Sequence, residues 1–149
     1  MKILFVCRGN MFRSQVAEAL LKHQHQNVRS RASNILVQSC GTWTEREGLT
    51  GKKLKDFDGY KEPFDLTNLI EVMAEKGIDI SENACKPITP ELVGWADKII
   101  SMAEESESPD YLLNSPKAIF WKVENPSNFT KELARETIDK IENLISTNL

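Results

Sequence analysis

Cys7 and Arg13 bracket the segment Cys7-Arg8-Gly9-Asn10-Met11-Phe12-Arg13-Ser14, between a short apolar run and a stretch of helical character. That order of residue types suits capture of a tetrahedral anion such as a phosphate monoester. The ion needs backbone N–H donors converging on its oxygens. A loop wrapped onto a helix N-terminus supplies them, and the helix dipole adds positive potential. It also needs a planar cation matching two oxygens at once, which Arg13 offers as a bidentate fork. A nucleophile must sit at the floor of the cradle, and Cys7 directly follows the apolar run. The same amides and Arg13 would stabilise a thiolate, to which Ser14 could donate a hydrogen bond. Gly9 permits close backbone approach, and Asn10 tolerates left-handed geometry in a tight loop. The backbone of Arg8, Gly9, Asn10, Met11, Phe12 and Arg13 is therefore the expected phosphate-binding surface. The bland alternative is a buried core cysteine at a strand end; the strand before and the helix after favour the nucleophile.

Several elements must position this loop. Lys2 to Val6, rich in branched and aromatic residues, reads as a buried strand. Ser14 reads as the N-cap of a helix that starts at Gln15. Asn34 to Ser39 is a second strand, ended by Cys40-Gly41-Thr42. Leu66, Leu69, Ile70 and Met73 fall at helical spacing, and Gly77 stops that helix after Lys76. Thr89-Pro90-Glu91 carries the start signals of another helix. Asp97 to Met102 and Lys117 to Val123 are the third and fourth strands. Ala134, Ile138, Ile141 and Ile145 mark a final amphipathic helix. Strands alternating with helices argue for an α/β domain with a parallel sheet, with ligands bound at the C-terminal ends of its strands. Thr44 to Phe64 has no clear periodicity, as expected of a functional or mobile stretch.

The chain has 149 residues, which fits one domain, residues 1–149, with a sizeable core. A net charge of −3 from mixed charges argues against nucleic-acid binding. No apolar run is long enough to cross a membrane, and the first residues are too short for a signal peptide, so a cytoplasmic location is expected. Three cysteines are too few for a disulfide framework and lack zinc-ligand spacing. His23 and His25 lie two positions apart and do not share a helix face, so no metal site is expected there. No nucleotide-binding fingerprint is present, and no cofactor is expected.

Val6 to Ala19 resembles the signature of the low-molecular-weight protein tyrosine phosphatases, with its Gly-Asn pair, Arg-Ser pair and following Ala-Glu-Ala. Ser39-Cys40-Gly41-Thr42 is similar to that family's Ser-Ala-Gly-Thr. Gly77-Ile78-Asp79-Ile80-Ser81 resembles its Gly-Ile-Asp-x-Ser, and Asp97 to Met102 its third strand. Val123-Glu124-Asn125-Pro126 falls where the family has an acidic Asp-Pro loop. The resemblance runs in order along essentially the whole chain. It implies a three-layer domain with a four-stranded parallel sheet flanked by helices, the phosphotyrosine phosphatase I-like fold. It also implies hydrolysis of a phosphorylated protein or small phosphomonoester through phosphocysteine, without metal, and a loop that takes inorganic phosphate or sulfate. By this resemblance Cys7 is the nucleophile, Arg13 binds phosphate, Ser14 supports the thiolate, and Asn10 and Ser39 hold the loop.

The pattern breaks at Asn125, where the family has its general-acid Asp. An amide can donate a hydrogen bond but cannot transfer a proton, a service worth about 10²–10⁴-fold. Weak turnover is expected, and a catalytically impaired phosphate- or phosphotyrosine-binding module is the alternative. Glu124, one residue away, could stand in as acid if the loop is shifted; otherwise it is a solvated carboxylate. Asn125-Pro126 also reads as a plain turn. Ser127 and Asn128 replace the family's tyrosines, so Trp43 is the candidate substrate wall, or else a partly buried loop aromatic. Phe12 occupies the place of a second loop cysteine that many relatives carry. Cys40 could approach Cys7 to form a protective disulfide, or be a small buried residue. Cys85 reads as a structural thiol, Trp95 and Trp121 as core aromatics, and Glu104-Glu105-Ser106-Glu107 as a solvated helix start. Arsenate reduction on this fold would need two further cysteines, and the sequence has none after the third strand.

Overall fold

The computed structural model describes residues 1–27, 34–57 and 66–149. The first strand, β1 (Lys2–Cys7), is buried on both faces, which is why it reads as an unbroken apolar run. Ile3 and Phe5 point into the larger core, and Leu4 and Val6 into the smaller one. Around β1 lie β2 (Leu36–Gly41), β3 (Lys98–Ser101) and β4 (Ala118–Phe120), all parallel, in the order β2-β1-β3-β4. The helices α1 (Arg13–Asn27), α2 (Thr67–Glu75) and α5 (Lys131–Asn148) cover one face, where Val16, Leu20, Leu69, Met73, Ile138 and Ile141 pack on Ile3, Phe5 and Ile100. On the other face, α3 (Pro90–Trp95) and α4 (Asp110–Leu113) bring Val93 and Leu112 onto Leu4, Val6 and Ile99. This is the three-layer α/β arrangement expected, with a four-stranded parallel sheet. No helix among the described residues is long and apolar enough to cross a membrane.

The chain leaves β1 through α1 towards β2, then crosses back over β1 to reach β3. The strand order thus reverses at β1, and in such sheets the crevice opens at the carboxyl ends of the strands flanking that reversal. Cys7 is the last residue of β1 and so stands at this point.

The helix signals act as read at three places. Thr89 accepts a hydrogen bond from the Leu92 amide with Pro90 at the first helical position, and Thr130 likewise caps α5 through the Leu133 amide. Gly77 sits at φ 79° just past α2, where its lack of Cβ lets the chain turn left-handed. Ser14 departs from expectation: α1 starts at Arg13, so Ser14 lies within the helix and its hydroxyl serves the loop instead. The acidic stretch holds in part, with Glu104, Glu105 and Ser106 exposed, and departs at Glu107. Glu105–Glu107 forms a short 3-10 turn, and the Glu107 side chain is only 11% exposed. The short helix α4 was not anticipated. Of the aperiodic stretch, residues 58–65 lie outside the described residues; the rest makes turns and a 3-10 segment, Leu54–Phe57.

Candidate active site

The loop that follows Cys7 is held by its carbonyls. Thr42 N donates to Cys7 O at 2.8 Å, Trp43 N to Arg8 O at 2.8 Å, and Thr44 Oγ1 to Gly9 O at 2.9 Å. With three successive carbonyls drawn towards the 42–44 segment, the amides of residues 8–12 are left with no acceptor among the described residues. Free amides at the start of a helix form an anion cradle. Gly41 makes this close approach possible. A Cβ there would lie 2.1 Å from Thr44 Oγ1, 2.7 Å from Arg8 O and 2.8 Å from Asn10 N.

Asn10 holds the turn itself. At φ 59° it is the one non-glycine residue with positive φ among the described residues. The cost of that conformation is offset by full use of a buried amide. Its Nδ2 donates to Ser14 Oγ (2.8 Å) and Ser39 Oγ (2.9 Å). Its Oδ1 accepts from Lys86 N (2.8 Å) and Gln15 Nε2 (3.1 Å). Because Ser14 Oγ already accepts from Asn10, its own proton is free for Cys7 Sγ, 2.9 Å away. The loop-support residues Asn10 and Ser39 and the supporting Ser14 thus converge as the sequence suggested.

Arg13 is 1% exposed. Its Nη1 donates to Met102 O, to Val123 O at 2.9 Å and to Glu104 Oε1 at 3.3 Å. Nε and Nη2 take no acceptor among the described residues, and Arg13 lines the same cleft as Cys7. One edge of the guanidinium is thus locked to the ends of β3 and β4, leaving the other for a ligand. The cleft holds about 80 Å³ and is lined by Cys7, Arg8, Gly9, Met11, Phe12, Arg13, Glu47, Asn125 and Phe129. Phe12 and Phe129, with ring centroids 5.6 Å apart, give it an apolar side.

Asn125 reaches the cleft. Glu124 does not line it and faces the neighbouring groove with Leu133 and Lys140. Trp43, expected as the substrate wall, is likewise absent from the lining. Its ring carries the guanidinium groups of Arg8 and Arg46, centred 4.4 and 4.3 Å from its centroid. Phe129 and Met11 take the wall's place. Sequence reasoning passed over Phe129 and Glu47; the aromatic just after Asn125-Pro126 was the available signal. Arg8 Nε lies 3.4 Å from Glu47, and Arg8 Nη1 lies 3.2 Å from Glu107.

The three cysteines are free. Register pairs Cys40 with Val6, and Cys40 packs with Leu4 and Val6 in the smaller core. Phe5, on Cys7's side of the pleat, faces the larger one. A Cys7–Cys40 disulfide would have to cross the sheet. Burial, then the neighbouring Cys7, pushes the Cys40 thiol far up, and the same causes push Cys85 up to about 12. Trp121 is half-buried against Phe5, their centroids 6.2 Å apart, and Trp95 is half-buried near Lys2.

Fold and loop together define a three-layer α/β domain with a cysteine at the foot of a loop of acceptor-free amides. The chain belongs to the low molecular weight phosphotyrosine protein phosphatase family, whose model matches residues 2–56. It is 31% identical to the low molecular weight protein-tyrosine-phosphatase PtpA of Staphylococcus epidermidis over 140 residues, covering 83% of this chain and 86% of that one. It is 37% identical over 100 residues to the probable low molecular weight protein-tyrosine-phosphatase EpsP of Ralstonia solanacearum. That match covers 67% of this chain and 54% of EpsP, so it spans about half the length of that relative. Among solved structures, the low molecular weight protein tyrosine phosphatase from T. tengcongensis matches with a TM-score of 0.74. It covers 98% of this chain and 95% of the other at 23% identity, a likeness of fold.

Proposed function

We propose that this chain is a phosphomonoester hydrolase of the protein-tyrosine-phosphatase type, acting through phosphocysteine. The observation that carries the reading is Cys7 on the cleft floor, 2.9 Å from Ser14 Oγ, beneath acceptor-free amides and the free edge of Arg13. The dianion seats with oxygens on the loop amides and on Nε and Nη2 of Arg13. The Cys7 sulfur attacks phosphorus in line; the S–P bond forms, the P–O bond to the leaving group breaks, and that oxygen takes the electron pair. Asn125 can hydrogen-bond the departing oxygen but cannot protonate it. Water then attacks phosphorus, the S–P bond breaks, inorganic phosphate leaves and the thiolate returns. The substrate is a phosphorylated protein or small phosphomonoester whose aromatic leaving group lies against Phe12, Phe129 and Met11.

A second reading is favoured by Asn125 alone: a module that binds phosphate or phosphotyrosine and turns over little. Burst and steady-state assays with an activated aryl phosphate separate the two. Hydrolysis by the native chain and none by Cys7→Ser supports the enzyme. Anion binding without a burst supports the module. An arsenate-reducing thiol relay is not favoured, because Cys40 packs across the sheet and Met102-Ala103-Glu104 follows β3 without a cysteine.

A further inference from the structure

Behind the loop, on the turn after β3, two carboxyl groups face each other. Glu107 Oε2 lies 3.2 Å from Arg8 Nη1. Its Oε1 is buried and meets no donor among the described residues. Its neighbour is the Glu104 carboxyl, which in turn lies 3.3 Å from Arg13 Nη1. Ionised carboxylates only accept hydrogen bonds, so two of them in contact repel and leave the buried oxygen bare. One proton between them supplies the missing donor.

We propose that Glu104 and Glu107 share a single proton, and that this pair couples Arg8 to Arg13 and sets the charge behind the anion loop. Both are positioning residues, since neither lines the cleft. Burial and the contact with Glu104 push the Glu107 carboxyl up against the opposing pull of Arg8 and Arg13. Burial would raise Glu104 as well, but its hydrogen bond with Glu107 and the Arg13 charge outweigh this and hold it below the usual carboxylate range. The buried Glu107 Oε1, which meets no donor among the described residues, is the place in the pair for that proton.

The charged groups facing the pair are Arg8 and Arg13 from the loop, with Glu47 beyond Arg8. With the proton in place, the two arginines balance Glu47 and one carboxylate, and the amides are left to attract a dianion. Loss of the proton adds a negative charge behind the site. By linkage, a bound dianion then raises the pair's proton affinity. Anion affinity must fall as pH rises through this titration, by at most about tenfold per unit for one proton.

The proposal rests on the reading of residues 7–14 as an anion loop, and the test keeps the two apart. Sulfate is the probe, because its charge is constant over the working pH range, and Cys7→Ser is the background, because it removes the sulfur's own titration. Calorimetric titration in buffers of different ionisation heat gives both affinity and proton uptake. C7S should bind sulfate with proton uptake and weaken by about tenfold or more over the titration. Adding Glu107→Gln, whose amide donates permanently to Glu104, should flatten the profile and abolish the uptake. Glu104→Gln in the same background should also abolish it, which guards against a folding defect in either variant. Equal pH dependence with and without Glu107→Gln, or a flat profile in C7S, overturns the shared proton. No sulfate binding by C7S at any pH overturns the anion loop itself.

Discussion

Replacing Asn10 by alanine tests the central claim about the loop, that a side-chain amide holds a strained backbone in place. The substitution removes four hydrogen bonds at once: two donated to Ser14 and Ser39, and two accepted from Lys86 N and Gln15. The hydroxyls can turn to other partners and Gln15 Nε2 keeps Ala84 O, but the part-buried Lys86 amide loses its acceptor, at about 1–3 kcal/mol for an orphaned group. Alanine at φ 59° adds about 1–2 kcal/mol that asparagine tolerates better. Together Asn10→Ala should destabilise the fold by roughly 2–5 kcal/mol, a large part of the ~5–15 kcal/mol of a typical domain. Asn10→Gly removes the same bonds but not the freedom to adopt positive φ, so it should be about 1 kcal/mol more stable than the alanine variant. Urea unfolding of the three proteins gives these differences, and the rate of vanadate-protected alkylation of Cys7 reports the loop in each. Alkylation should slow in both variants, because Ser14 is no longer oriented towards the sulfur. Alanine and glycine variants within about 1 kcal/mol of the native protein, with unchanged alkylation, would refute the argument.

Four further outcomes follow. Asn125→Asp should raise turnover of phosphate esters with poor leaving groups by about 10²-fold or more and change nitrophenyl phosphate less; equal effects on both would remove Asn125 from the leaving-group side. Gly41→Ala should disorder the loop, since its Cβ would sit 2.1 Å from Thr44 Oγ1, and should abolish vanadate protection; native binding by this variant contradicts the close approach. Iodoacetamide near neutral pH should modify Cys7 alone by mass spectrometry, because the raised Cys40 and Cys85 remain thiols; labelling of Cys85 with the fold intact would count against its burial. Cys85 has a folded-state value raised from 9.0 to about 12, so its contribution is complete below 9.0 and is lost towards 12. The melting temperature should therefore fall over that window, with a shallower fall in Cys85→Ala; identical slopes would refute the assignment.

The sheet was legible because both faces of β1 are covered, which leaves an uninterrupted apolar signal from Ile3 to Val6. The geometry of the Cys7 loop was legible because its residues are local, with Cys7, Asn10, Arg13 and Ser14 all within eight residues of chain. What sequence reading missed depends on distant contacts. Ser14 carries a good capping side chain, yet Cys7 and Asn10 claim its hydroxyl and the helix begins one residue earlier. Glu104 and Glu107 look like solvated acids until Arg13 and Arg8 arrive from the other end of the sequence. Trp43 is correctly placed beside the loop by β2, but two guanidinium groups over its ring occupy it. No periodicity encodes such pairings, which exist only once β1, β2 and β3 are side by side.

The lock on Nη1 of Arg13 has a mechanical corollary. Its two backbone acceptors, Met102 O and Val123 O, belong to segments leaving β3 and β4, so the orientation of the guanidinium plane is referenced to the spacing of two neighbouring strands. On the proposed reading, the edge strand β4, only three residues long, thereby calibrates where phosphate oxygens would be met. A substitution along that rim which slides Val123 would rotate the fork and degrade anion recognition while every atom of the Cys7 loop kept its place.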